Sequence, residues 1–271
     1  MRLVPAAEVD LDGIVELFNA AYSDYVVPMR LDRGALEFTL GVCDIDLGCS
    51  RVALADDGEP AAFSFLALRG DEGWIGGMGT APAHRRQGVG EAALRAVLGE
   101  ARARGADSVR LEVIAENTGA RALYEKLGFG YERELVVWTL DSAPEATPTA
   151  EPADPDEAAA WIAAHRPSAE PWQRADETRE HMRERGLEFG AFALGDDAGA
   201  VVYQRSADVP RVAQIAARDE DAAADLLAAV AFLGGGGFRF LNAPAGEPAS
   251  AACERLGARV EVRQHELRVS L

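Results

Sequence analysis

Long apolar runs are missing from the sequence. Nowhere do about 18 uncharged apolar residues follow one another, as a helix that crosses a bilayer requires. The first residues, MRLVPAAEVDLDGIVELF, also lack the basic flank and apolar stretch of a secretory signal. These absences exclude a helical membrane protein and predict a soluble protein of the cytoplasm.

Cysteine and histidine are scarce, and neither occurs at the spacing of a metal site. The residues concerned are Cys43, Cys49, Cys253, His84, His165, His181 and His265. They form no CxxC pair and no ligand pattern. The sequence therefore predicts neither a structural disulfide nor a bound metal.

Basic side chains are outnumbered by acidic ones. Lys and Arg together number 27 against 45 Asp and Glu, which gives a formal net charge of -18. Because such a surface repels polyanions on average, nucleic acid and anionic membranes are not expected partners. The charge favours a cationic small molecule or a basic protein terminus instead.

The length of 271 residues, 48% of them hydrophobic, predicts two domains. The clearest break is DSAPEATPTAEPADPD at 141–156, which contains four prolines and five acidic residues. This composition disfavours helix and interior strand and indicates an extended linker. We therefore expect one domain over 1–140, a linker over 141–156 and a second domain over 157–271.

Hydrophobic periodicity predicts the elements of the first domain. They are helices at 7–21 and 32–41, strands at 51–55, 60–68 and 74–80, a helix from about 89 to Gly105, a strand at 109–115, a helix at 118–127 and a strand at 131–140. Tight turns join the three strands between 51 and 80, which indicates an antiparallel meander. The predicted fold class is α/β (α+β), with a mixed, mainly antiparallel sheet flanked by helices.

The segment HRRQGVG at 84–90 contains a glycine pair with competing interpretations. GVGEAA fits a relaxed dinucleotide pattern, but in that fold the first glycine directly ends a strand. Here seven residues separate Thr80, where the strand is predicted to end, from Gly88. The second interpretation is an anion site, in which backbone amides of 87–91 converge at a helix start beside two arginines. A solvated basic turn is the third.

Two motifs, R-x-x-G-x-G at 85–90 and NTGARALYEKLGF at 117–129, occur in the order and at the separation of one enzyme superfamily. With the order of elements, they resemble the GNAT superfamily of acyl-CoA N-acyltransferases over about 1–140. The resemblance implies that the loop binds the pyrophosphate of acetyl-CoA, and that the end of the preceding strand holds the pantetheine arm and the acyl carbonyl. The cofactor-binding residues implied in this way are Met78, Gly79, Thr80, Arg85, Arg86, Gln87, Gly88, Val89, Gly90, Glu91 and Asn117.

The resemblance also implies residues for the chemistry. Tyr124 occupies the position of the residue that protonates the departing thiolate, although an aromatic packed beside Leu123 and Leu127 fits the sequence too. Glu112 is the candidate general base, acting directly or through water, at a spacing similar to that in the ribosomal-protein N-terminal acetyltransferases of the superfamily. An outward-facing strand carboxylate is the alternative for Glu112.

By the same resemblance, in which the first two helices and their connection shape the acceptor site, the acceptor is expected beside residues 21–29. Tyr22, Asp24 and Tyr25 form a candidate aromatic and acidic cradle for an ammonium group. Packing of both tyrosines against the core is the alternative interpretation.

The second domain repeats part of the first at an offset of 129 residues. VRLEVIAENTGARALYEKLGF at 109–129 aligns without gaps with FRFLNAPAGEPASAACERLGA at 238–258, which indicates a duplicated fold or chance likeness of alanine-rich sequence. The aligned functional positions are Tyr124 with Cys253, Asn117 with Gly246 and Glu112 with Leu241. The chemistry-bearing side chains are therefore absent from the second copy.

The glycine loop is also absent from the second copy. QIAARDED stands before a predicted helix at 221–233, and its Asp219, Glu220 and Asp221 repel a pyrophosphate at the helix start. This predicts a degenerate, non-catalytic domain. The tandem architecture resembles mycothiol synthase, with the departure that there the second copy is catalytic.

We therefore expect an acetyl-CoA-dependent N-acetyltransferase that acetylates a primary amine at one working site in 1–140. The expected acceptor is a small-molecule amine or a peptide N-terminus, and the expected assembly is a monomer or a homodimer. An acyl-CoA-binding sensor without turnover is the alternative, because the strand at 74–80 carries no carboxylate for a base. A dinucleotide oxidoreductase is the weaker rival.

Overall fold

The computed structural model describes residues 1–25, 27, 29–145, 147–206, 208–233 and 235–271. The chain forms two compact units. The first comprises Met1–Glu132 and Glu266–Leu271, and the second comprises Arg133–His265. The boundary expected at 140 therefore lies within the second unit, and the last six residues belong to the first.

The first unit follows the element order expected from the sequence, preceded by one additional strand. Its elements are β1 (Arg2–Pro5), α1 (Leu11–Ala21), α2 (Arg33–Val42), β2 (Arg51–Leu54), β3 (Pro60–Arg69), β4 (Glu72–Thr80), α3 (Val89–Ala103), β5 (Ser108–Ile114), α4 (Thr118–Lys126) and the start of β6 (Gly130–Leu140). The additional strand, β1, pairs antiparallel with β2.

The second unit contains the same order of elements. They are β7 (Glu151–Ala153), α5 (Pro155–His165), α6 (Asp176–Glu184), β8 (Phe189–Leu194), β9 (Gly199–Gln204), β10 (Arg211–Ala217), α7 (Glu220–Leu233), β11 (Phe238–Pro244), α8 (Pro248–Arg255) and β12 (Arg259–Ser270). The expected linker at 141–156 thus contains strand β7 and the start of α5. The repeated order agrees with a duplicated fold.

Each unit takes one sheet strand from the other half of the sequence. In the first unit the strand order is β1-β2-β3-β4-β5, followed by the end of β12. Leu267 is part of the core of the first unit, and the amide of Leu271 donates to the Asp107 carbonyl at 2.9 Å. In the second unit the order is β6-β11-β10-β9-β8-β7, and Leu140 of β6 pairs with Phe238 of β11.

Strands β1 to β4 pair antiparallel with their neighbours, whereas β4 pairs parallel with β5. The expected mixed, mainly antiparallel fold class is confirmed. Helix α3 packs Leu94 and Val97 into a core with Leu111 and Val113 of β5, which fixes the start of α3 beside the end of β4.

Strands β4 and β5 pair near their first residues and separate towards the end of β4. Within the described residues, their parallel pairing runs from Glu72 and Ser108 to Trp74 and Arg110. Strand β4 continues to Thr80 beyond this pairing. Its terminal backbone groups are therefore available to line an opening between the two strands.

Candidate functional site

The opening leads into a cleft of about 810 Å³ in the first unit. Fourteen of the sixteen residues singled out from the sequence line it, and Gln87 and Glu112 are the two outside the lining. The described residues that line it are Ala21, Tyr22, Asp24, Tyr25, Met78, Gly79, Thr80, His84, Arg85, Arg86, Gly88, Val89, Gly90, Glu91, Glu116, Asn117, Thr118, Gly119, Ala120, Leu123 and Tyr124. Fold and chain order thus bring the two motifs and the acceptor segment to one place.

The sequence analysis did not single out seven of the lining residues. They are Ala21, His84, Glu116, Thr118, Gly119, Ala120 and Leu123. Four of them belong to the first turns of α4, on the helix that carries Tyr124. Helical spacing from Tyr124 would have identified Ala120, four residues earlier.

The start of α3 lacks a side-chain cap. Gly88 is the N-cap residue with φ 80°, in the left-handed region that favours glycine, and no side chain bonds this end. The first helical hydrogen bond runs from the Ala92 amide to the Gly88 carbonyl at 2.9 Å. The amides of Val89, Gly90 and Glu91 therefore precede the helical hydrogen-bond ladder and line the cleft as donors.

Gly90 lets the start of α3 approach β4 closely. A Cβ added at Gly90 would lie 2.6 Å from Thr80 Oγ1 and 3.2 Å from Met78 Cε. Gly79 of β4 is equally confined, because an added Cβ there would meet Ala21 Cβ at 2.7 Å. The absence of a side chain at these two glycines therefore allows the start of α3 and the end of β4 to lie close together.

Arg85 and Asp24 form an ion pair within the cleft lining. Both terminal nitrogens of Arg85 donate to the Asp24 carboxylate at 2.7 Å, and Nη2 also donates to the Ala21 carbonyl at 3.0 Å. Arg85 Nε donates to the Thr80 carbonyl at 3.2 Å. This hydrogen bonding from Arg85 lowers the pKa of Asp24, so the carboxylate stays ionised. Arg85 therefore ties the glycine loop to the acceptor segment, and its charge is balanced there.

Tyr22 and Tyr25 combine packing with hydrogen bonding. The Tyr22 ring stacks on Phe18 with centroids 4.5 Å apart, and its hydroxyl donates to the Met78 carbonyl at 3.0 Å. Tyr25 meets Tyr22 edge-on at 4.9 Å. Its hydroxyl accepts from Asn117 Nδ2 at 3.4 Å. Val26 and Pro28, which fall within the expected acceptor segment at 21–29, lie outside the described residues.

Asn117 begins helix α4. Its Oδ1 accepts from the Ala120 amide at 3.1 Å, which is the side-chain capping bond of this helix. Its amide nitrogen points across to Tyr25. Asn117 therefore presents a donor in the cleft between the helix and the acceptor segment.

Tyr124 is buried in the wall of the cleft. Its ring packs edge-on against Phe129 with centroids 5.8 Å apart. Burial, followed by the nearby Tyr22 and Tyr25, raises the pKa of the Tyr124 hydroxyl, so this group keeps its proton. No hydrogen bond joins that hydroxyl to any residue that the structure describes, which leaves it available to a ligand.

Two singled-out residues stand apart from the cleft. Glu112 Oε2 accepts from the Trp74 indole nitrogen at 2.8 Å. Gln87 Nε2 donates to the Ala83 carbonyl at 3.1 Å, within the glycine loop. The structure therefore separates the candidate base Glu112 from the lining that contains Tyr124.

The second unit fills the corresponding positions with its own side chains. Asp219 caps α7, since its carboxylate accepts from the Ala222 amide at 2.9 Å. Arg174 donates to the carbonyls of Ala213 on β10 and Asn242 on β11, at 2.9 and 3.0 Å. Both the helix start and the gap between the parallel strands are thus occupied from within the unit.

The Arg174 guanidinium is buried with a buried partner. Glu170 lies 2.9 Å away, and the two side chains are 4% and 6% exposed. The guanidinium also stacks 4.4 Å from the centre of the Phe240 ring. Burial raises the pKa of Glu170 and lowers that of Arg174, each partly offset by the other.

Comparisons with known proteins agree with this architecture. The Acetyltransferase (GNAT) family model matches residues 12–129. This part of the chain is therefore similar to the acetyltransferase domains of the GNAT family. Among the described residues, no helix has the length and apolar character needed to cross a membrane, and no cluster of three or more His, Cys, Asp or Glu side chains suits a metal ion.

Two curated relatives are similar to part of the chain. Mycothiol acetyltransferase of Clavibacter sepedonicus is 32% identical over 120 residues, which are 44% of this chain and 40% of that protein. Ribosomal protein bS18-alanine N-acetyltransferase of Escherichia coli is 40% identical over 76 residues, 28% of this chain and 51% of that protein. The chain thus spans about half or less of the length of these relatives.

A solved structure is similar over the whole chain. It is a tandem GNAT protein from the clavulanic acid biosynthesis pathway, with a TM-score of 0.70 at 17% identity, covering 99% of this chain and 98% of that chain. At this identity the likeness shows the fold alone. The tandem GNAT fold expected from the sequence is confirmed.

Proposed function

We propose that the chain is an N-acetyltransferase that moves an acetyl group from acetyl-CoA to a primary amine at one site, in the first unit. The observation that carries this proposal is the uncapped start of α3, whose three amide donors share a cleft with the Tyr124 hydroxyl. A helix start with free amides attracts phosphate, and a protonated hydroxyl suits a departing thiolate.

The cleft has groups that suit each part of the cofactor. The amides of Val89–Glu91 would hold the diphosphate. Arg86, the arginine of the loop that has no ion-pair partner among the described residues, would add positive charge beside it. The end of β4 and Asn117 would contact the pantetheine arm and the acyl carbonyl. Because Gly79 and Gly90 hold these surfaces close together, a narrow chain fits between them.

The transfer needs three things from these residues. The neutral amine attacks the thioester carbonyl, and a donor stabilises the resulting oxyanion. As the carbon–sulfur bond breaks, the Tyr124 hydroxyl gives its proton to the thiolate, and the proton lost by the amine passes to a base. Glu112 is held by Trp74 outside the cleft lining, so as a base it would act through water.

The acceptor class follows from the acceptor segment and the relatives. One curated relative is named for acetylation of mycothiol and the other for the alanine of a ribosomal protein. A small-molecule amine or a peptide N-terminus is therefore the proposed acceptor, received beside Tyr22 and Tyr25. Since Asp24 is engaged by Arg85, the aromatic faces are the part of the cradle that remains for an ammonium group.

Release of free thiol from acetyl-CoA, followed over a panel of small amines and peptide N-termini, tests the proposal. Thiol release with acetylated product is expected for at least one amine class. Tight acetyl-CoA binding without turnover on the whole panel would favour the sensor alternative. Binding of NAD without affinity for coenzyme A would exclude the proposal.

The role of Tyr124 has a matched test. Tyr124→Phe is expected to lower kcat at least tenfold while the Kd for acetyl-CoA stays nearly constant, because only a proton donor is removed. Tyr131→Phe, at an exposed tyrosine of β6, is the control and should behave as the wild type. An unchanged kcat in Tyr124→Phe would remove its assigned role.

A further inference from the structure

Lys126 is the only lysine in the 271 residues, and its ammonium group contacts a residue of the cleft lining. It ends helix α4, and its side chain is 60% exposed. Its ammonium nitrogen is 2.6 Å from Oε2 of Glu91, which belongs to the first turn of α3 and lines the cleft. Lys126 is thus within one side-chain length of the uncapped helix start.

The position of Lys126 on α4 continues the face of that helix that lines the cleft. Gly119 and Leu123 both line it, and Lys126 follows at helical spacing of seven and three residues. This stripe extends from the Asn117 end of the cleft towards the start of α3. A ligand that lies along α4 would pass Leu123 before it reaches the Lys126 ammonium.

Two cations share one carboxylate at this end of the cleft. Arg85 is paired with Asp24, whereas the Glu91 carboxylate is contacted both by Lys126 at 2.6 Å and by Arg95 at 2.9 and 3.1 Å. Glu116 is the other carboxylate of the lining, but it precedes α4, about 15 Å from Lys126 along the helix. Because Lys126 and Arg95 share the single Glu91 charge, and Arg86 has no ion-pair partner among the described residues, positive charge is in surplus near the helix start.

We propose that Lys126 is a phosphate-binding residue whose ammonium contacts a phosphate of the acetyl-CoA bound at the start of α3, while Glu91 holds it in place. This inference rests on the proposed function. An ammonium group has three donors, and Glu91 receives one of them. The other two donors remain for a phosphate, to which a charged donor bonds more strongly than to water.

The alternative is a surface ion pair that only joins α3 to α4. Exposed pairs of this kind contribute little to stability, and Arg95 already neutralises Glu91 from the next turn of α3. The two roles differ in what they predict for ligands with and without phosphate. A joining pair affects all ligands of the cleft equally, whereas a phosphate contact affects only the phosphorylated ones.

Lys126→Gln, titrated calorimetrically with coenzyme A, dephospho-coenzyme A and pantetheine, separates the two roles. The variant is expected to bind coenzyme A about fivefold to tenfold more weakly and pantetheine as the wild type does. If dephospho-coenzyme A shows the same loss, the contact is with the diphosphate; if it shows none, the contact is with the 3′-phosphate. Unchanged affinity for coenzyme A, or equal loss for pantetheine, would overturn the proposal.

Two variants control for the charge of Glu91. Arg95→Gln removes the other cation on Glu91 and should weaken coenzyme A binding less than Lys126→Gln does. In a Glu91→Gln background, Lys126→Gln should still lose affinity for coenzyme A. Full restoration of affinity in that double variant would mean that Lys126 only neutralises Glu91, and the proposal would fail.

The single lysine also permits a direct observation that does not depend on activity. Protein labelled with ¹³C-lysine should give one side-chain Cε signal, which coenzyme A is expected to shift and pantetheine is not. If wild-type protein binds coenzyme A and this signal stays in place, the inference about Lys126 fails while the proposed function stands. If coenzyme A does not bind at all, both fail.

Discussion

Gly90 provides a test of how closely α3 must approach β4 for the cleft to bind its ligand. In Gly90→Ala the new Cβ would lie 2.6 Å from Thr80 Oγ1, against an ordinary contact of at least 3.4 Å. The helix start must therefore move by about 0.8 Å, or Thr80 must turn away. Overpacking of this kind costs about 1–3 kcal/mol.

We expect this overpacking cost to weaken the binding of acetyl-CoA. The amides of Val89–Glu91 are at the end of α3 that has to move, so they leave the position where they converge on an anion. If the full cost is taken from binding, acetyl-CoA binds about fivefold to 150-fold more weakly. Isothermal titration with acetyl-CoA measures this change, and thermal unfolding checks that the fold is retained.

Gly88→Ala is the matched comparison. Gly88 has φ 80°, but an added Cβ there meets no atom within 4 Å. The substitution therefore costs about 1 kcal/mol of backbone strain without pushing α3 from β4. It should lower the unfolding temperature and weaken acetyl-CoA binding less than Gly90→Ala does.

The contact with Thr80 can be removed to check the cause. In Gly90→Ala with Thr80→Ala, the Oγ1 atom that causes the clash is gone, so most of the lost affinity should return relative to Thr80→Ala alone. The reasoning is refuted if Gly90→Ala binds acetyl-CoA as tightly as the wild type. It is also refuted if the double variant shows no recovery.

Two further predictions concern buried groups. Arg174→Met removes the cation that lies 2.9 Å from the buried Glu170 carboxylate, and it should lower the free energy of unfolding by about 3–5 kcal/mol. Arg174→Met combined with Glu170→Gln should lower the free energy of unfolding by less. Urea unfolding measures both variants, and a loss below about 1 kcal/mol in Arg174→Met would contradict this expectation. The three cysteines form no disulfide and are buried, and burial raises the pKa of the Cys43 thiol to about 12 and that of Cys49 to about 11. Ellman's reagent should therefore label the native protein slowly and three thiols per chain after denaturation, and rapid native labelling would contradict the burial.

The elements of the first unit could largely be predicted because each has a local signal. Asp10 caps α1 through the Gly13 amide at 2.8 Å, which explains why the helix begins at Leu11 rather than at the predicted residue 7. Strand β1 was not predicted, since four residues beside a helical pattern give no measurable alternation. Its pairing with β2 is a tertiary contact.

The linker prediction overlooked a signal that was present. Asp154 caps α5 by accepting from the amides of Asp156 and Glu157, and Pro155 occupies the first helical position. Proline there is a helix-start signal and not a linker signal. The exchange of the last strands between the two halves had no local signal, because β6 and β12 follow the same kind of helix in both halves.

The residues of the cleft could be predicted better than their interactions. The motifs, the strand end before them and the acceptor segment together identified fourteen lining residues, since a family resemblance fixes which parts of the chain face one loop. They could not show that Arg85 bonds Asp24, which is 61 residues away in the chain. Nor could they separate Glu112 from the cleft, because its bond to Trp74 depends on the packing of two strands.

The two units differ most in which backbone groups they leave for a ligand. The start of α3 has a glycine cap and unbonded amides, whereas Asp219 satisfies the start of α7. In the second unit, Arg174 binds carbonyls of both β10 and β11 in the gap between these strands. Asp219 therefore does more than repel an anion. Its carboxylate accepts the hydrogen bond from the helix start that a bound phosphate would otherwise accept. Restoring a glycine loop alone would leave the Arg174 guanidinium in the gap, so a working second site requires changes at both places.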